Sequence, residues 1–150
     1  MRLLASSKFP RPKSAEGVAT MTVTEDADML ERGLDMRRQV LGAEHVDKAM
    51  ANVSEFSRPV QELVTEYCWG AVWTRPGLEP KTRSLLNLVM LTAMNRSHEL
   101  AVHVRGALTN GCSQQEIQEA LLQTLVYCGA PAALEAFRVA ERVLAEADDA

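Results

Sequence analysis

From Thr24 onward, apolar side chains recur at three- and four-residue spacing, the period of an amphipathic helix. No stretch forms a credible hairpin or a strand–helix–strand alternation. The pattern predicts an all-α fold of about six to seven helices. The first runs from Thr24 to Val40, with Thr24 as N-cap and Glu25 and Asp26 in the acid-favouring first turn. Gly42 ends it, and a short helix from about Glu44 to Val53 follows. Ser57 and Pro59 open the next, in which Val60, Leu63, Val64, Tyr67, Cys68 and Ala71 fall on one predicted core stripe. Trp69 and Trp73 form an aromatic line on a different face, which suits a pocket, a subunit contact or ordinary packing.

A turn-rich break, Arg75-Pro76-Gly77-Leu78-Glu79-Pro80, precedes a helix with Pro80 at its first position that continues from Lys81 to Met94. Its apolar residues run nearly all the way round, so a central, wholly buried helix is expected. Arg83 lies in its first turn, where a cation opposes the helix dipole; it is either a surface side chain or held by another group. The next helix, Glu99 to Asn110 with Gly111 as its stop, carries Leu100, Val104, Ala107 and Leu108 on one stripe. His103 points inward with them, and Glu99, one turn earlier, is placed for a carboxylate–imidazole hydrogen bond. A titratable pair facing a core is costly unless it is satisfied or useful, so His103 is either a satisfied core histidine or a functional one. Ser113 and Glu116 form a capping box for a helix carrying Ile117, Ala120, Leu121, Leu125 and Cys128. After Gly129 and Pro131 a last helix presents Leu134, Phe137, Ala140 and Leu144.

Composition narrows the classes. The 150 residues are 47% hydrophobic, enough for one domain with a real core, and only 5% aromatic, so that core is mainly aliphatic. A formal charge of −4 argues against nucleic acid or an anionic membrane as partner. The longest apolar run, Leu85 to Met94, is broken by Asn87 and Thr92 and is too short to span a bilayer. Three cysteines without CxxC spacing, Cys68, Cys112 and Cys128, fit a reducing compartment, and a cytoplasmic location is expected. Residues 1–20 hold Arg2, Lys8, Arg11 and Lys13 against the single acid Glu16; the remainder then has 12 basic and 19 acidic residues. Residues 1–23 are therefore read as a basic, disordered extension without an amphipathic arginine face, and residues 24–150 as the helical domain, with Met21 an alternative start. The chain has no Gly-rich phosphate loop, GxSxG, HExxH or zinc-type Cys/His cluster. His98 and His103, five residues apart, point about 140° from one another on a helix, so no metal site is expected there.

Several runs together carry a resemblance. Trp69-Gly-Ala-Val-Trp73-Thr-Arg75-Pro76-Gly77-Leu78, Lys81-Thr-Arg83-Ser84-Leu85, Glu99-Leu-Ala-Val-His103-Val-Arg105, Asn110-Gly111, Glu116-Ile117-Gln-Glu119 and Tyr127-Cys128-Gly129-Ala-Pro131 resemble 4-carboxymuconolactone decarboxylases, over about residues 30 to 145. The resemblance implies an alkyl hydroperoxidase D-like helical fold, a homo-oligomer that is typically a hexamer, and no cofactor. It also implies a small dianionic lactone as substrate, with loss of CO₂ to give 3-oxoadipate enol-lactone in protocatechuate breakdown. The redox branch of that superfamily carries a Cys-x-x-Cys pair where this chain has Arg96 and Glu99, so a dithiol mechanism is not available. Within the resemblance, His103 is the expected proton donor, Glu99 its orienting carboxylate and Arg83 the clamp for a carboxylate or oxyanion. Trp73 and Tyr127 are expected to line the pocket, and Arg75 to offer a second anionic contact. Glu116 is read as a cap. A decarboxylase for another small carboxylated lactone and a non-catalytic lactone-binding oligomer are the alternatives.

Overall fold

The computed structural model describes residues 23–148, with side chains described for residues 28–147. Seven α-helices and one π-wound segment make up this part, with no strand among the described residues. They are α1 (Val23–Leu41), α2 (Ala43–Ala51), α3 (Arg58–Leu63), a π-helix (Val64–Trp73), α4 (Pro80–Ala93), α5 (Ser97–Thr109), α6 (Gln114–Cys128) and α7 (Ala130–Asp148). The expected basic extension lies, apart from Val23, outside the described residues. Helix α1 already includes Val23, so Thr24 stands inside the helix rather than at its cap. Where the chain must turn sharply, Gly42, Gly111 and Gly129 take φ of 90°, 80° and 86°, conformations that favour glycine. The capping box forms as expected: Ser113 Oγ accepts from the Glu116 amide at 3.1 Å, and the Ser113 amide donates to the Glu116 carboxylate at 2.8 Å.

The main core lies between α4, α5, α6 and α7, around Leu88, Leu100, Val104, Ile117, Leu121, Val139 and Val143. A second cluster of Val40, Trp69 and Trp73 joins α1 to the π-helix. These two elements pack at unusually close range. A Cβ on Gly33 would sit 2.1 Å from the Thr65 carbonyl oxygen, and one on Gly70 would sit 2.4 Å from that of Met29. Close approach at two glycines draws the face of Thr65, Trp69 and Trp73 inward, and each tryptophan gains more by burial than a Val, Leu or Tyr would.

That preference corrects the predicted core stripe. Val60, Leu63 and Tyr67 are more than half exposed and Cys68 is also exposed, while Trp69 and Trp73 retain 5% and 8% of their surface. The i→i+5 winding from Val64 onward also departs from the 3.6-residue template, so later positions drift off the expected face. Helix α4 is likewise not wholly buried. Ser84, Leu88 and Thr92 face the core, but Leu86, Met90 and Met94 form an exposed apolar line, because α5, α6 and α7 all pack on its other side. In α7 the buried positions are Ala133, Ala136, Val139, Ala140 and Val143, with Leu134 outside; in α6, Leu125 and Cys128 are exposed while Thr124 is buried.

Candidate active site

His103 sits in the middle of α5, half-buried, where α4 and the π-helix converge on it. Its ring lies parallel to the indole of Trp69, with an interplanar angle of 1° and centroids 6.3 Å apart. Trp69 in turn stacks on Trp73 at 4.9 Å. On the α4 side, the carboxamide nitrogen of Asn87 lies 3.5 Å from Nδ1 of His103. Burial pushes the imidazole below its ordinary value of 6.5; the charge of Glu99 pulls the other way and does not win.

The polar neighbour of His103 is thus Asn87, not Glu99. Glu99 is exposed in the first turn of α5 and acts on the ring through its field, with no hydrogen bond between them. One turn separates the two residues as the sequence requires, but the inward tilt of His103 leaves the carboxylate on the solvent side. Asn87 has a sequence signal in retrospect. It is one of two polar residues that interrupt the apolar run Leu85 to Met94, and it falls four positions after Arg83, on the same helix face.

Arg83 is held as its unfavourable position at a helix N-terminus demands. Its Nε donates to the Leu78 carbonyl at 3.2 Å and its Nη2 to the Arg75 carbonyl at 3.0 Å, which pins the turn that follows Trp73. Nη1 has no partner among the described residues. The guanidinium therefore sits against the turn that joins the π-helix to α4, and Arg83 lies one helical turn before Asn87 on α4. The Arg75 side chain is exposed. Tyr127, near the end of α6, is 79% exposed, and the structure does not bring it to His103 within one chain. His98 lies on another face of α5, in a groove against α7 with Arg105, Arg138 and Arg142.

Residues 58–142 match the Carboxymuconolactone decarboxylase family, and the chain belongs to it. Among its relatives is the nitrosuccinic acid decarboxylase npaB of Metarhizium robertsii, 45% identical over 116 residues, 77% of this chain and 81% of that protein. The 4-carboxymuconolactone decarboxylase of Acinetobacter baylyi is 37% identical over 118 residues, 79% of this chain and 88% of that protein. An uncharacterised 15.0 kDa protein of Paracoccus denitrificans is 33% identical over 124 residues, 81% of this chain and 91% of its own.

Proposed function

We propose that this chain decarboxylates 4-carboxymuconolactone to 3-oxoadipate enol-lactone and CO₂ without a cofactor, in the breakdown of protocatechuate. The observation that carries the reading is the family match over residues 58–142, which includes the helix that holds His103. The substrate supplies its own electron sink. As the ring carboxylate leaves, its bonding pair passes through the C=C bond into the lactone carbonyl and forms a dienolate. The protein then has three tasks: to grip the remaining carboxylate, to stabilise the oxyanion, and to deliver a proton to carbon. His103 delivers the proton, and the field of Glu99 favours its cationic form. Arg83, whose Nη1 has no partner among the described residues, takes the carboxylate or the oxyanion, with Arg75 as a second contact. Trp73 packs against the ring.

A second reading rests on the 45% identity to a nitrosuccinic acid decarboxylase. Nitrosuccinate is also a dicarboxylate, and a nitro group can take up the electron pair left by a departing carboxylate. The same grip and the same proton donor serve both substrates, because the sink belongs to the substrate in each case.

The protein acts as a homo-oligomer, a hexamer by family resemblance, and Tyr127 reaches a site in a neighbouring subunit. Support comes from the apolar residues left exposed on α4 and α6. A cytoplasmic location accords with three unpaired thiols.

The test supplies each substrate separately and follows ultraviolet absorbance and CO₂ yield, with His103→Gln alongside. Conversion of the lactone by the wild type, and a loss of about 10²–10⁴-fold in the variant, supports reaction and proton donor together. Equal rates in a folded variant would remove His103 from the role. Conversion of nitrosuccinate alone would select the second reading.

A further inference from the structure

The polar group that approaches the ring of His103 is a carboxamide, Asn87, and not a carboxylate. The carboxamide of Asn87 stands 3.5 Å from Nδ1, on the α4 side of the ring, and Trp69 covers one ring face. We propose that Asn87 is the positioning residue that reserves Nε2 of His103 for proton delivery to the substrate carbon, an inference that rests on the role of His103 given above.

A carboxamide suits the task because it serves both protonation states. When the ring is neutral, Nδ2–H of Asn87 donates to the Nδ1 lone pair, which fixes the remaining ring proton on Nε2. When the ring is cationic, a half-turn of the amide lets Oδ1 accept from Nδ1–H instead. In turnover the imidazolium gives up its Nε2 proton and the dienolate electron pair forms the new C–H bond. The ring is left neutral with its one proton on Nδ1, accepted by Oδ1 of Asn87, and a proton from solvent returns to Nε2 to restore the cation. In the free enzyme, loss of the Nδ1 proton as the amide turns back gives the Nε2–H resting tautomer. A carboxylate at Asn87's position would hold the cation too firmly, and an aliphatic side chain would leave Nδ1 without a partner in a half-buried setting.

The other charged groups nearby do not compete for Nδ1. Glu99, on α5 itself, acts only through its field. Arg83, on α4, is turned to the carbonyls of Arg75 and Leu78. From α1, Arg37 donates to Gln61 and Thr65. The charges of α7, Glu135, Arg138, Arg142 and Glu146, line the groove shared with His98 and Arg105 on a different face of α5. The π-helix brings the neutral Trp69.

The experiment uses protein labelled with ¹⁵N at histidine and reads the ring nitrogens directly, the His103 signals being those lost in His103→Gln. Wild type should show the Nε2–H tautomer when neutral. Asn87→Leu should lose that single tautomer and lower kcat by about tenfold to a hundredfold with little change in KM. In Asn87→Asp a carboxylate beside Nδ1 should move the pH limb of kcat/KM upward by about one unit or more. A wild-type ring in the Nδ1–H form would overturn the proposal. So would a tautomer and pH limb unchanged in both variants. Because the tautomer is read without substrate, full activity of His103→Gln would defeat the proton-donor reading while the wild-type spectrum still reported on Asn87.

Discussion

Burial holds the imidazole of His103 below the ordinary histidine value of 6.5, while a proton donor to carbon must be a cation once in each turnover. Stability and activity should therefore depend on pH in opposite directions. In the unfolded chain His103 titrates near its ordinary value, so below about pH 6.5 the unfolded state binds the extra proton first. Its contribution to stability is complete above that value and is lost as pH falls from 6.5 through the lower folded value. Urea midpoints measured from about pH 5 to 8 should fall at the acid end in the wild type and flatten in His103→Gln. For activity, kcat/KM reports the free enzyme and should decline as pH rises through the same lowered value. The limb of kcat should lie at higher pH, because a bound dianion favours the cation. Coincident limbs for kcat and kcat/KM would mean that the substrate's charge does not reach the ring.

Among the elements, the crossing of α1 and the π-helix positions Trp69, whose indole lies parallel to the ring of His103 in the proposed site. Gly33→Ala forces a Cβ to 2.1 Å from the Thr65 carbonyl, an atom of the backbone that cannot swing aside. The helices must part, at a cost of about 1–3 kcal/mol. Thermal melts should show a drop of several degrees for Gly33→Ala and almost none for Gly77→Ala, where no atom lies within 4 Å of the added group. An unshifted melt for Gly33→Ala would show that the contact is loose. This crossing also marks how far the sequence could be read. The helices, the glycine stops and the Ser113 capping box follow from local rules, and so they were legible. The buried face of the third helical stretch was not, because it depends on Gly33 meeting Gly70 across about 37 residues of chain. At the candidate site, the inward position of His103 follows from helical spacing, while the roles proposed for Arg83 and Trp73 rest on the family resemblance. Asn87 did not stand out, since an asparagine in an apolar helix acquires its meaning only from the neighbour it faces.

Taken whole, one chain leaves a large apolar surface uncovered. Leu86, Met90 and Met94 line α4 at four-residue spacing with 47%, 50% and 59% of their surface exposed. Leu122, Leu125, Val126 and Tyr127 are likewise exposed on the second half of α6, which packs beside α4. Scattered apolar residues on a surface need no explanation, but two neighbouring helices that each expose several of them form the kind of patch that subunits bury. A second face, Phe56, Val60, Leu63 and Tyr67, offers another contact and allows an assembly larger than a dimer. In the proposed oligomer, Met90→Lys should break the first contact, because a lysine in an apolar interface loses its hydration without gaining a partner. Sedimentation should then show a smaller species than the wild type, with its helical circular dichroism retained. Activity separates two versions of the assembly. If Tyr127 completes a neighbour's site, kcat/KM should fall with the oligomer although His103, Asn87 and Arg83 all remain within one chain. If each chain is self-sufficient, the dissociated variant should keep its turnover and lose only stability, with a melting point that no longer rises with protein concentration. A wild type that sediments as a monomer at assay concentration would remove the interface and leave Tyr127 outside the site.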